Sequence, residues 1–340
     1  MVQLANYFVN LPNVEVHIIL YGKSREIYYD LSDFIKLHKP PFNFNDSFRH
    51  YSTIKSLLFV RRTVKKIAPE TVLSFGEVWN NFVLMALWGM KIPIYVSDRS
   101  RPGKDLGRMH NYLKKVLYKK ASGIIAQTEK AKETIEKTIQ HQNIAVIPNP
   151  VNLTQNTDKI QRENIVLTVG RLIDTKHHDR LINMFIKIND PDWKLIVVGD
   201  DAQKQKNRSK LQKIIHEAAF ENQVVLAGKQ KNIESYYLRS KIFAFTSSSE
   251  GFPNVVAEAM AAGLPVIAFD DVSGNKDLII DNENGFLVPL FNDEIFKDKL
   301  NYLMKNEKIT RQMGSHASNS IQKFNKDNVA LKFYNFITDN

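Results

Sequence analysis

The chain has 340 residues, 43% hydrophobic and 24% charged, which suffices for two hydrophobic cores of ordinary size. It contains no cysteine, which excludes disulfides and thiolate metal sites and fits a cytoplasmic protein. Residues 1–150 hold 22 Lys+Arg against 12 Asp+Glu, whereas the remainder holds 25 against 24, so nearly all of the net charge of +11 lies in the first half. No run approaches the roughly 18 apolar residues of a membrane-spanning helix. The start lacks the basic region and apolar core of a secretory leader.

Apolar residues at helical spacing predict a helix over 1–10, and Val-Glu-Val-His-Ile-Ile-Leu over 14–20 reads as a strand. Residues 26–48 are irregular and aromatic, punctuated by Pro40-Pro41. A basic amphipathic helix is predicted over 51–66, ending before Pro69. Strands at 71–75, 92–97, 123–127 and 144–147 then alternate with helices over 77–88, 108–120 and 129–140, the pattern of parallel βαβ units. The densest charge lies here: Arg99, Arg101, Lys104, Arg108, Lys114, Lys115, Lys119 and Lys120, opposed by Asp105 alone. Such a cluster attracts nucleic acid, an anionic membrane leaflet or a pyrophosphate-bearing acceptor. For any one of these lysines, a solvated helix face is the plainer reading.

Pro148-Asn149-Pro150-Val151-Asn152 and the polar stretch up to Glu163 mark a domain boundary. A second alternation follows, with strands at 165–169, 194–198 and 223–227 and helices over 179–188 and 209–219; a last helix covers 325–337. In open parallel sheets, ligands sit beyond the carboxyl ends of strands, so the loops leaving these strands are the candidate sites.

Two loops carry suitable chemistry. Gly170-Arg171-Leu172-Ile173-Asp174-Thr175-Lys176 leaves the first strand of the second half. Gly170 permits close backbone approach, while Arg171 offers a planar fork for phosphate oxygens and Lys176 a point charge. The second loop leaves the apolar strand Ile242-Phe243-Ala244-Phe245 and runs through Ser247-Ser248-Ser249-Glu250-Gly251-Phe252-Pro253-Asn254 into a helix closed by Gly263. That helix's first N–H groups form a seat for phosphate. Glu250 could accept hydrogen bonds from sugar hydroxyls beside it, and Glu258, in the helix, could reach a diol such as a ribose. Singly, each is also an ordinary acid: one at a helix start, one on a solvated face.

Glu250 and Glu258, separated by seven residues and framed by Gly251-Phe252-Pro253 and Ala262-Gly263-Leu264-Pro265-Val266-Ile267, resemble the E-x7-E signature of the retaining GT-B glycosyltransferases of group 1, family 4. That family includes lipid-linked oligosaccharide, capsule and lipopolysaccharide transferases. The resemblance implies an α/β GT-B fold, two Rossmann-like domains facing each other across a cleft. Residues 1–150 would form the acceptor side, with the helix near 325–340 crossing back to it, and 151–324 the nucleotide-sugar side. It implies that Arg171 and Lys176 bind the donor diphosphate and neutralise it as it leaves, that Glu250 holds donor-sugar hydroxyls, and that Glu258 contacts the ribose. Gly170, Gly251, Phe252, Pro253, Asn254 and Val255 would complete the donor seat through N–H groups, and Lys229 and Ile233 would flank the base. Asp98 and Arg99 would face the cleft, Arg99 standing where many relatives carry a histidine.

No metal or other cofactor is expected, since Asp200-Asp201 and Asp270-Asp271 are adjacent acids rather than Asp-x-Asp, and His110, His177 and His178 form no ligand set. His177 and His178 read as surface residues. The segments 272–279, with Asp277 where a longer acid is common, and 284–289 read as structural.

The implied reaction moves a sugar, an N-acetylhexosamine, from a UDP-sugar to a hydroxyl of a glycan or polyprenyl-diphosphate-linked acceptor, with retention and by front-side attack. GDP-mannose and UDP-glucose are alternative donors. The implied partners are the nucleotide sugar, the acceptor and, through the basic first half, an anionic membrane surface on the cytoplasmic side; no nucleic acid is expected. One departure stands out. Family members open with a strand and a Gly-rich turn, whereas this chain opens inside a helix; the expectation is that the true start lies upstream of Met1. Two other readings follow: a truncated, non-catalytic binding protein, and a GT-B-like UDP-GlcNAc 2-epimerase, although epimerases lack this Gly-Arg…Lys and E-x7-E combination.

Overall fold

The computed structural model describes residues 1–24, 27, 30–153, 161–202, 205–270 and 274–338. Glu26, most of the polar stretch before Glu163, and Asp271, Val272 and Ser273 lie outside the described residues. The chain divides into two units, Met1–Pro150 with Lys326–Asn340, and Val151–Asn325. No helix among the described residues is long and apolar enough to cross a membrane.

The first unit begins with α1 (Val2–Phe8), followed by β1 (His17–Ile19) and β2 (Lys36–His38), which pair in parallel. β2 falls in a stretch expected to be irregular; it is short and largely exposed, and pairing with β1 defines it more than its own pattern does. Then come α2 (Arg49–Ile67), β3 (Val72–Phe75), α3 (Glu77–Ala86), β4 (Ile94–Ser97), α4 (Arg108–Leu117), β5 (Gly123–Ala126), α5 (Glu129–Thr138) and β6 (Ile144–Val146). The strands β3-β4-β5-β6 form a parallel sheet in sequence order. β4 and β5 are buried throughout, which is why they read as unbroken small and apolar runs. One core joins Val60 and Val64 of α2 and Phe82 and Leu84 of α3 to Val96 and Ile124 of the sheet.

The second unit contains β7 (Ile165–Val169), α6 (His178–Ile188), β8 (Lys194–Val198), α7 (Asn207–Glu217), β9 (Val224–Gly228), α8 (Glu234–Arg239) and β10 (Ile242–Phe245). It continues with α9 (Asn254–Ala261), β11 (Val266–Asp270), α10 (Asn275–Leu278), β12 (Gly285–Pro289), α11 (Asp293–Lys305) and α12 (Glu307–Ile321). Its six strands are parallel in the order β12-β11-β10-β7-β8-β9. The order reverses between β7 and β10, so the loops leaving these two neighbours diverge and open a crevice at the strands' carboxyl ends. α12 backs α9 closely: a Cβ on Gly314 would stand 2.3 Å from the Gly263 carbonyl oxygen.

The final helix, α13 (Lys326–Thr338), belongs to the first unit. Its Val329, Phe333 and Ile337 are buried with Tyr95 and Ile125 of the sheet and Leu4 and Phe8 of α1. Gly123 makes room for it, because a Cβ there would lie 2.8 Å from the Phe336 ring.

Candidate active site

The loop after β7 is set by two backbone contacts. The Gly170 N–H donates to the Val198 carbonyl at 2.9 Å, and Gly199 passes so close that a Cβ there would sit 1.9 Å from the Gly170 oxygen. Gly199 also has φ +145, which L side chains rarely adopt. The tight approach expected of Gly170 therefore depends on its neighbour Gly199. What Gly170 itself provides is room for the Lys176 side chain, whose Cε would lie 3.4 Å from an added Cβ.

The β7 and β10 loops are stitched together. The Thr246 hydroxyl donates to the Lys176 carbonyl at 2.8 Å, and the Ser248 N–H donates to the Thr175 carbonyl at 2.9 Å. These bonds carry Lys176 to Glu250, and the two side chains form an ion pair. The Lys176 side chain is 13% exposed and that of Glu250 18% exposed, with the ammonium 5.0 Å from the Phe245 ring centroid. The Ser247 hydroxyl lies 2.8 Å from the same Glu250 oxygen. Arg171 is exposed, and its guanidinium has no hydrogen bond or ion pair among the described residues. The β7 loop thus holds one cation engaged with an acid and one exposed.

The α9 end of the site differs from expectation in detail. Phe252 is 4% exposed and packs against Phe324, with ring centroids 6.2 Å apart; Pro253 is buried at the N-cap. Both therefore shape the loop and do not present side chains. The Asn254 N–H already donates to the Phe252 carbonyl at 2.9 Å, so the expected row of donors from Phe252 to Val255 is incomplete. Gly251 and Val255 lie half-buried on either side. Lys229 is exposed beyond β9, whereas Ile233 packs onto the core at the N-cap of α8.

Glu258 lies on the exposed side of α9 and accepts a 2.9 Å hydrogen bond from the buried Tyr237 hydroxyl. Crowding by protein atoms raises the Glu258 carboxyl above its ordinary range, and the tyrosine donor opposes that shift. Tyr237, Gly199 and Arg162, whose guanidinium donates to the Tyr237 carbonyl at 3.2 Å, escaped the sequence reading. For Tyr237 the available signal was a tyrosine just ahead of the strand that leads into the Glu250 loop.

Asp98 and Arg99, expected on the acceptor side, sit in the first unit. Asp98 is 6% exposed, paired with Lys114 and bonded by the Tyr118 hydroxyl at 2.6 Å. Burial raises its carboxyl and the Lys114 charge opposes this. Asp98 is thus an interior group of the first unit. Arg99 is held between Phe75 and Phe333, its guanidinium carbon 4.8 and 5.5 Å from the ring centroids, and bonds Asn149. Burial lowers its guanidinium to about 10. His178, expected at the surface, is 5% exposed. Burial lowers it to about 4, so it is neutral.

Two parallel α/β units, the second carrying arginine, lysine and two glutamates on the loop and helix at its switch point, define a GT-B fold. Residues 152–320 match the family model described as "Glycosyl transferases group 1", and residues 1–155 match "Glycosyltransferase Family 4". The chain belongs to this glycosyltransferase family. It is 26% identical to the amylovoran biosynthesis glycosyltransferase AmsD of Erwinia amylovora, over 90% of this chain and 86% of that protein. It is also 26% identical to the N-acetylgalactosamine-N,N'-diacetylbacillosaminyl-diphospho-undecaprenol 4-alpha-N-acetylgalactosaminyltransferase of Campylobacter jejuni, over 93% of this chain and 89% of that one. The crystal structure of Anabaena HepE in complex with UDP and glucose superposes with a TM-score of 0.80 at 17% identity, covering 100% of this chain and 95% of that one.

Proposed function

We propose that the chain transfers an N-acetylhexosamine from a UDP-sugar to a hydroxyl of a glycan or polyprenyl-diphosphate-linked acceptor, retaining the α configuration, in cell-surface polysaccharide or oligosaccharide synthesis. The observation that carries this reading is the Lys176–Glu250 pair at the switch point, beside an exposed Arg171. In the free protein the two charges neutralise each other. A bound diphosphate gives Lys176 a second anion, and Glu250 is then available to a donor-sugar hydroxyl.

In the step itself, the bond from the anomeric carbon to the diphosphate oxygen breaks and a bond to the acceptor oxygen forms on the same face. The acceptor proton passes to the leaving oxygen. Negative charge builds on the diphosphate, where Arg171 and Lys176 stabilise it and take the part of a divalent cation. Glu258 receives the ribose diol. The uridine choice is supported by HepE, solved with UDP, and the acceptor class by the Campylobacter transferase, whose name specifies a diphospho-undecaprenol carrier. Docking on an anionic membrane is supported by α4 and the turn after it, where Arg108, Lys115, Lys119 and Lys120 are exposed beside Met109, Tyr112 and Val116.

A thermal-shift screen with UDP- and GDP-sugars tests the reading. UDP-N-acetylhexosamines should raise the melting temperature most, because a ligand that binds only the native state stabilises it. No shift with any nucleotide sugar would overturn it.

A further inference from the structure

We propose that Tyr237 is a positioning residue for nucleotide binding: its hydroxyl aims the Glu258 carboxylate so that the remaining oxygen lone pairs face the two hydroxyls of the ribose. The inference rests on the nucleotide-sugar reading above and extends it to a residue that touches no substrate.

The two side chains come from different helices, Tyr237 from α8 and Glu258 from α9, and meet with the tyrosine oxygen 2.9 Å from Oε2. The Tyr237 ring is 4% exposed and packs against Phe243, centroids 5.8 Å apart, so only its hydroxyl reaches the edge of the site. The phenol is held well above its ordinary pKa by burial and by the adjacent carboxylate, and it therefore stays a donor. A carboxylate offers about four acceptor positions. One, on Oε2, is occupied by Tyr237, which pins the plane of the group; Oε1 has no partner among the described residues. A cis-diol needs two acceptors in a fixed plane, which this leaves.

The helices themselves are clamped. Nη1 of Arg162 donates to the carbonyls of Tyr237 at 3.2 Å and Ser240 at 2.7 Å, both at the end of α8. Its Nη2 donates to the carbonyl of Ala262 at the end of α9. One guanidinium thus ties the carboxyl ends of α8 and α9 together. Tyr237 and Glu258 are held in register before any ligand arrives, which is the condition for a hydrogen bond to orient rather than follow a side chain.

The test compares UDP with its 2′,3′-dideoxy counterpart, measured by titration calorimetry on the full chain. The wild type should bind UDP roughly tenfold more tightly, the worth of a hydrogen-bonded hydroxyl pair. Tyr237→Phe should weaken UDP by about the same factor while leaving the dideoxy compound within about twofold, and should raise the donor KM with kcat little changed. In a Glu258→Gln background the same substitution should no longer alter the ratio between the two ligands. Equal weakening of both ligands by Tyr237→Phe, or none, would overturn the proposal and leave Tyr237 a packing residue. A wild type that binds both ligands equally would instead remove the ribose role of Glu258, and one that binds neither would sink the nucleotide-sugar reading itself.

Discussion

Lys176 and Glu250 lie 74 positions apart and meet because Thr246 and Ser248 tie the loop after β10 to the loop after β7. Arg171, five residues before Lys176, is left exposed without a partner among the described residues. The two cations should therefore respond differently to removal. Arg171→Ala should leave the melting temperature unchanged and lower kcat by about a hundredfold, the usual loss for one charge-stabilising donor. Lys176→Ala should show a similar kinetic loss and also cost about 2 kcal/mol of stability, because Glu250 stays largely buried without its cation. Paired denaturation and single-turnover measurements would distinguish them; a stability loss in Arg171→Ala would contradict the geometry.

Gly199→Ala should be among the most damaging single-methyl changes in the second unit. The added carbon would stand 1.9 Å from the Gly170 oxygen in a backbone conformation unsuited to alanine. A loss of about 3 kcal/mol is expected in urea unfolding, from overpacking and strain combined. Because the displaced backbone is that of Gly170 and Arg171, nucleotide binding should fall as well. Gly107→Ala, where an added Cβ meets nothing, is the control for positive φ alone.

His178 gives the second unit a pH dependence. Its folded-state value is lowered to about 4 by burial first and by the Lys176 charge second, from 6.5 when free. Between these values the unfolded chain binds the proton and the folded chain does not, so stability rises with pH across this window. The contribution is fully present above about pH 6.5 and is lost as pH falls towards 4, a difference of about 3 kcal/mol. Chemical denaturation at pH 7.5 and 4.5 should show this loss in the wild type and a smaller one in His178→Gln. Equal slopes would refute it.

Vesicle flotation with anionic lipid tests the membrane surface of the first unit. Neutralising Lys115, Lys119 and Lys120 should abolish binding at physiological salt, each charge near such a surface contributing about 1 kcal/mol. Lys114→Gln should leave binding unchanged and instead destabilise the unit, because that lysine is turned inward onto Asp98. Binding that persists without the three outward charges would rule out this surface.

Much of the fold could be read from the order of residues. The runs over 165–169, 194–198 and 242–245 predicted strands that form with those bounds, because a parallel strand covered on both faces admits little but apolar side chains. The Lys176 and Glu250 loops could be placed at strand ends for the same reason. What sequence order conceals is which neighbour a polar side chain meets. Lys114 sits in a row of basic residues that gives no sign of turning inward, and Asp98 and Arg99 follow a strand end that looks open until Tyr118, Phe75 and Phe333 close on it. His178 reads as surface next to His177, yet it opens the first turn of α6 and that turn faces the core. Tyr237 and Glu258 belong to different helices, whose ends are bridged by Arg162, 75 positions before Tyr237.

The place of α13 sets the order in which the protein can be built. Val151–Asn325 is one continuous stretch of chain, so the second unit can close on the ribosome as soon as Asn325 has emerged. The first unit cannot. Over Tyr95 and Ile125 its sheet has Leu4 and Phe8 of α1 for company until Phe333 and Ile337, translated some two hundred residues later, complete the cluster. During the interval the apolar face left open is a natural client for a chaperone.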